Sequence, residues 1–327
     1  MPQIVYLGTL LGALLAGFLL ARRLGRLSPR RVERLTGWAL YLLVLSMGFR
    51  LGRTEEVSSG FAGIGLAALE YAAATVSGTV LVLWLLYRLF APPGSLGRRP
   101  AGRREGPAAP RQPVRRAPIR ARLRLLAGIL AAPLKLLGIL GLGLLLGRLL
   151  PLPRSISGAG ATAAILYFLL FLIGIAVRRT GIKSRELLDP SLWILPAGTL
   201  LGSLAGGLGL ALALGQRAGR GLALASGFGW YSLSGVLLIQ LGGPALGATA
   251  FLANLLRESL SLLLIPLLAR TRYPFLAIGA GGATSMDVTL PLIELSCGPR
   301  AVPFAVASGA ILSASVPLLV PLLYPIG

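Results

Sequence analysis

Apolar residues run along this chain in blocks of about twenty, with neither the two-residue alternation of a half-buried strand nor the one-sided stripe of a soluble helix. A block of that length matches the hydrocarbon core of a bilayer. Eight blocks read as continuous helical spans, at about 4–20, 35–51, 61–87, 125–150, 161–177, 192–214, 245–269 and 302–323. Two further segments, 222–241 and 275–295, are apolar on average but crowded with Gly, Ser and Thr at their centres. Residues of that kind interrupt a helix, so these two are expected to be broken helices, either re-entrant or spanning. The expected fold is an all-α polytopic membrane protein of about eight transmembrane helices plus two re-entrant or broken-helix segments, an arrangement compatible with an inverted repeat. Three regions follow: a three-helix membrane region at 1–90, an Arg/Pro-rich linker at 91–124, and a transport core at 125–327.

Charge orients the blocks. The loop after the first span carries Arg22, Arg23, Arg26, Arg30, Arg31 and Arg34, and the stretch 88–124 holds eleven arginines and seven prolines. By the positive-inside rule both face the cytoplasm. If the two small-residue segments fold back as hairpins, 24 basic residues fall in inner loops and about six at outer ends. If they span, the helix at 245–269 inverts and Arg270 and Arg272 move outside, so the hairpin reading is preferred. Either count is even and leaves both termini on the outer side. The uncharged run 1–20 precedes its arginines, the reverse of a cleaved signal peptide.

Composition narrows the function classes. Only 13% of residues are charged, about half the share usual in a soluble domain. The formal net charge of +22 sits in short loops between apolar blocks, which argues against nucleic acid as a partner and for a lipid bilayer. The scarcity of Asn and Gln hints at a heat-adapted source. The single Cys297 excludes an intrachain disulfide. The absence of histidine removes His proton relays, His metal sites and His-dependent triads, so neither a metal nor an enzyme mechanism is expected.

Acids inside apolar blocks are costly, about 2.5–3.5 kcal/mol at a helix centre on insertion scales, and so mark function. Glu294 lies near a segment end, within reach of the headgroups, and Glu70 is expected to pair with Lys135 or Arg148. Glu258 shares a helix face with Asn254 and Ser261, while Arg257 points about 100° away and need not neutralise it. Asp287 stands inside the run Gly279–Asp287, followed by Thr289 and Pro291. A break of this kind exposes backbone carbonyls and N–H groups that hold ions and zwitterions. The first broken segment offers Ser226, Ser232 and Ser234 with Trp230 and Tyr231, whose rings suit either a substrate cation or plain packing. The candidate substrate- or ion-binding set is therefore Asp287, Glu258, Asn254, Ser226, Trp230, Tyr231, Ser232, Ser234, Thr284, Ser285 and Thr289.

The stretches 224–238 (LASGFGWYSLSGVLL), 254–260 (NLLRESL) and 282–291 (GATSMDVTLP) resemble the LysO lysine-exporter family of bacterial inner membranes. The likeness is strong from about residue 192 onward and looser but colinear before it. It implies eight spans with a pair of re-entrant loops and export of L-lysine and of analogues such as thialysine. It also implies that the membrane acids correspond to Glu258 and Asp287. The longer Arg/Pro linker and Glu70 depart from the family pattern. Lysine carries two ammonium groups and one carboxylate, so two fixed carboxylates would bind the ammonium groups or exchange them for protons. The expected mechanism is proton-coupled antiport without an organic cofactor, with sodium coupling, or a channel or sensor for cationic amino acids, as the alternatives. A homo-oligomer is compatible with the sequence.

Overall fold

A computed structural model describes residues 3–21, 23, 28–53, 61–90, 119–150, 159–179 and 190–327. Most of the linker expected at 91–124, the Pro-rich turn at 151–153 and the charged loop at 180–189 lie outside these residues. Among the described residues there is no β-strand. Eight helices of 18 to 31 residues run without interruption: α1 (Gln3–Leu20), α2 (Pro29–Gly52), α3 (Phe61–Phe90), α4 (Ile119–Leu149), α5 (Ala159–Arg179), α6 (Pro190–Ala213), α9 (Pro244–Leu268) and α12 (Val302–Leu323). Two broken segments complete the described residues. The first is α7 (Ala218–Ala225) followed by α8 (Tyr231–Gly242). The second is α10 (Leu276–Gly281), a 3-10 turn (Gly282–Met286) and α11 (Leu290–Cys297).

Five of the described helices are long and apolar enough to cross a membrane. Large apolar side chains cover the outside, among them Trp38, Leu81, Leu134, Leu263 and Leu295, each more than half exposed. Such a surface would aggregate in water and is what a lipid environment selects. Helices pair through small residues rather than bulky ridges. Where α2 crosses α4, Gly48 and Gly52 meet Gly143 and Gly147 so closely that an added methyl would strike the partner's backbone. Gly17 on α1 against Gly174 on α5, and Gly78 on α3 against Gly202 and Gly206 on α6, repeat the device. Lipid tails are as apolar as leucine, so close backbone approach carries much of the packing in a membrane.

Each broken segment is a hairpin. Gly219, at the start of the first, and Gly242, at its end, both lie against Tyr324 beyond α12. In the second, Cys297 Sγ at the end lies 3.4 Å from the Pro274 carbonyl at the start. The hairpins enter from opposite ends of the bundle, because α12 begins beside the base of the second at Pro299–Ala301 and finishes beside the base of the first. Their tips meet in the interior, where Ala283 N–H donates to the Phe228 carbonyl at 2.9 Å. Both segments break where the sequence is densest in Gly and Ser, and at the tips Phe228 (φ 48), Gly229 (φ 97) and Gly282 (φ 62) take left-handed or related conformations.

Candidate functional site

The crossing of the hairpin tips forms one wall of a cavity of about 440 Å3. That volume lies in the range of small-molecule sites. From the first hairpin it is lined by Gly229, Trp230, Tyr231 and Ser232, from the second by Thr284, Met286, Asp287 and Val288, and from α9 by Glu258. The walls continue to Val32 and Thr36 in the first turns of α2 and to Ile173 near the end of α5. The cavity therefore reaches from the crossing toward the end of the bundle that carries Arg30, Arg31, Arg34 and Arg178.

Both acids singled out in the sequence face this space. Glu258 is 1% exposed, and its Oε2 is buried with no hydrogen-bond partner among the described residues. Asp287 is accessible while Thr284, Ser285 and Thr289 around it are buried, so it is the cavity that makes it accessible. Its Oδ1 accepts from Val288 N–H at 2.6 Å. Ser232 Oγ on the same wall is also buried, with no hydrogen-bond partner among the described residues. Buried polar atoms normally find partners. Two orphans on one cavity wall, beside a second carboxylate, are what a polar ligand would satisfy. The first turn of α8, Tyr231 and Ser232, adds a helix N-terminus and its partial positive charge.

Of the residues expected to bind, Asp287, Glu258, Trp230, Tyr231, Ser232 and Thr284 line the cavity. The others hold the breaks in shape. Asn254 Oδ1 accepts the Gly229 N–H at 2.8 Å, and its Nδ2 donates to Ser234 Oγ at 3.1 Å and to the Ala250 carbonyl at 2.9 Å. Ser226 donates to the Leu222 carbonyl and Ser234 to that of Trp230. Ser285 bridges the Gly282 and Ala305 carbonyls, and Thr289 donates to the Thr284 carbonyl. Irregular backbone in a bilayer must satisfy its polar groups internally, and these side chains do that. Tyr231 lines the cavity while its ring packs edge-on against Phe251, with centroids 5.5 Å apart.

One further expectation changes. Among the described residues, Lys135 and Arg148 form no ion pair with Glu70; Lys135 Nζ instead donates to Tyr41 Oη at 2.8 Å and lies over its ring. Tyr41 is the nearer partner because α4, which carries Lys135, packs along α2. Arg257, as its place on the helix suggests, forms no ion pair with Glu258; it is nonetheless 1% exposed, its guanidinium donating to Thr79 Oγ1 at 3.3 Å. Glu294 is exposed, as its place near a segment end predicts.

Residues 137–324 match the family model described as lysine exporter LysO. The chain is 35% identical over 308 residues to a protein of Escherichia coli (strain K12) named lysine exporter LysO, covering 94% of this chain and 95% of the relative. The chain belongs to the LysO lysine exporter family. A putative lysine exporter of Haemophilus influenzae is 42% identical over 161 residues, 49% of this chain and 82% of the relative. No solved structure matches. The family match covers both hairpins, α9 and α12, hence every acid of the cavity.

Proposed function

We propose that this family member exports L-lysine, and analogues with the same charge pattern such as thialysine, from the cytoplasm in exchange for protons. The observation that carries the reading is the pair of carboxylates, Glu258 and Asp287, on one cavity at the meeting of two hairpins. The names of the relatives supply the substrate. Lysine's two ammonium groups fit the two carboxylates, and its carboxylate fits the N-terminal turn of α8, where Ser232 Oγ stands unpartnered. Glu258 and Asp287 alternately hold protons and substrate, so each outward step of lysine returns protons inward. The hairpins act as re-entrant loops in a bacterial inner membrane, with both chain ends outside and the arginine-bearing end of the cavity inside. Loading from that end is what an exporter requires.

The test is flux of labelled lysine in proteoliposomes under imposed gradients. Inward-directed protons should drive lysine against its gradient in the wild type and should fail to do so in Asp287→Asn and in Glu258→Gln. Accumulation by Asp287→Asn at the wild-type rate would remove the mechanism. Driving by sodium alone, at uniform pH, would replace protons by sodium.

A further inference from the structure

Arg257 is a fixed cation that the two-carboxylate scheme leaves unused. It is 1% exposed in the middle of α9, next to Glu258. Nη2 donates to Thr79, while Nε and Nη1 are buried with no hydrogen-bond partner among the described residues. No carboxylate pairs with it there. An unpaired buried charge is costly, so its position calls for a reason.

The guanidinium sits immediately behind the cavity wall. Gly229 lines the cavity, and a methyl group built there would lie 3.4 Å from Nη1 and 3.7 Å from the Gly281 carbonyl. At Gly282 an added methyl would strike both Nη1 and the Phe228 carbonyl. Both glycines that let the cation approach have positive φ, and one backbone layer separates Nη1 from the space that Glu258 and Asp287 share. Through so thin a layer of low-dielectric protein the charge is poorly screened.

With both acids ionised the site thus holds two negative charges and one positive. Lysine presents the opposite set, two ammonium groups and one carboxylate. We propose that Arg257 is a specificity-determining residue of this transporter: its charge makes the site select cationic amino acids that retain a free carboxylate over diamines of the same length. The inference rests on the lysine reading above. Neutralise the cation and the site becomes doubly negative, the match for a diamine that lacks the carboxylate.

The experiment is competition against labelled lysine in proteoliposomes, with 1,5-diaminopentane and lysine methyl ester as competitors. The wild type should prefer lysine to both, and Arg257→Lys, which keeps the charge, should preserve that order. Arg257→Gln should lower the discrimination against the diamine by roughly tenfold, a shift that loss of a merely structural contact would not produce. An unchanged ratio in Arg257→Gln overturns the proposal. Should that variant fail to fold, the wild type decides: equal affinity for lysine and the diamine overturns the proposal, and discrimination retained by Arg257→Lys supports it. A wild type that moves no lysine overturns the lysine reading instead, so the two failures are separable.

Discussion

Replacing Asn254 by leucine, a side chain of nearly the same size and shape, removes the hydrogen bonds that hold the first hairpin tip. The Gly229 N–H loses its acceptor at 2.8 Å, and Ser234 Oγ loses a donor at 3.1 Å. Ser234 keeps its own bond to the Trp230 carbonyl, and Ala250 keeps its helical one, so the stranded amide dominates the cost. A buried donor left unsatisfied costs about 1–3 kcal/mol, which raises the open population of the tip by about 5-fold to 150-fold. Hydrogen–deuterium exchange of the peptide 226–234 reads that population directly. Exchange at 226–234 should accelerate by that factor, and the KM for lysine should rise because Trp230, Tyr231 and Ser232 hang from the same tip. Gly227→Ala offers an independent route, since its methyl would collide with the Asn254 amide itself. Unchanged exchange and unchanged KM in Asn254→Leu would refute the assignment of Asn254 as the pin of this break.

Gly282→Ala should abolish transport and lower the melting temperature in detergent, because its φ of 62° is unfavourable for an L side chain and its methyl meets Arg257 and the Phe228 carbonyl. Ser285→Ala removes bonds to the Gly282 and Ala305 carbonyls at 2.7 and 2.9 Å, and should destabilise by about 1 kcal/mol, read as a shift in thermal melting. A cysteine at Thr36, in a Cys297→Ser background, should react with an impermeant maleimide in inside-out vesicles, and saturating lysine should slow the labelling. Labelling only from the opposite face would overturn the proposed orientation of the cavity.

The helices were legible because each stands in the sequence as a long apolar block, and backbone satisfaction in lipid leaves few alternatives. The breaks were legible for a local reason: Gly, Ser and Thr concentrate at 225–235 and 279–289, and those are the positions where regular helix stops. That Glu258 and Asp287 share a cavity followed from their chemistry. What each neighbour does was not legible. Asn254 lies on the face of Glu258 but spends its amide on the first hairpin, the oxygen on the Gly229 N–H and the nitrogen on Ser234 Oγ, a difference that depends on where the tip passes. The helical wheel shows that Arg257 points away from Glu258 but not where its guanidinium goes. That depends on the neighbours, since the centre of α9 is enclosed on most sides by α3, α8 and α10. The signal that would have found it was present: a basic residue at the middle of an apolar helix, with no end close enough for snorkelling. Glu70 failed for the opposite reason, since no one-dimensional pattern shows that Lys135 meets Tyr41 first.

The two acids are suspended differently, and that difference bears on how access could alternate. Glu258 belongs to an unbroken helix of 25 residues that packs along α3 and α8, so it moves only if α9 moves as a body. Asp287 belongs to a stretch where the chain is neither α-helix nor 3-10 turn, with φ −139° and ψ −85°, so small rotations there re-aim the carboxylate without disturbing the bundle. The only backbone bond between the two hairpins among the described residues is that from Ala283 to Phe228. One such bond contributes about 0.5–1.5 kcal/mol net, a joint firm enough to define the tips and weak enough to part within a transport cycle. A substrate that bridges Glu258 and Asp287 would pull on this joint from both sides. Proton and substrate would then compete for the same carboxylates while acting on the same hinge, which is the coupling an exchanger needs.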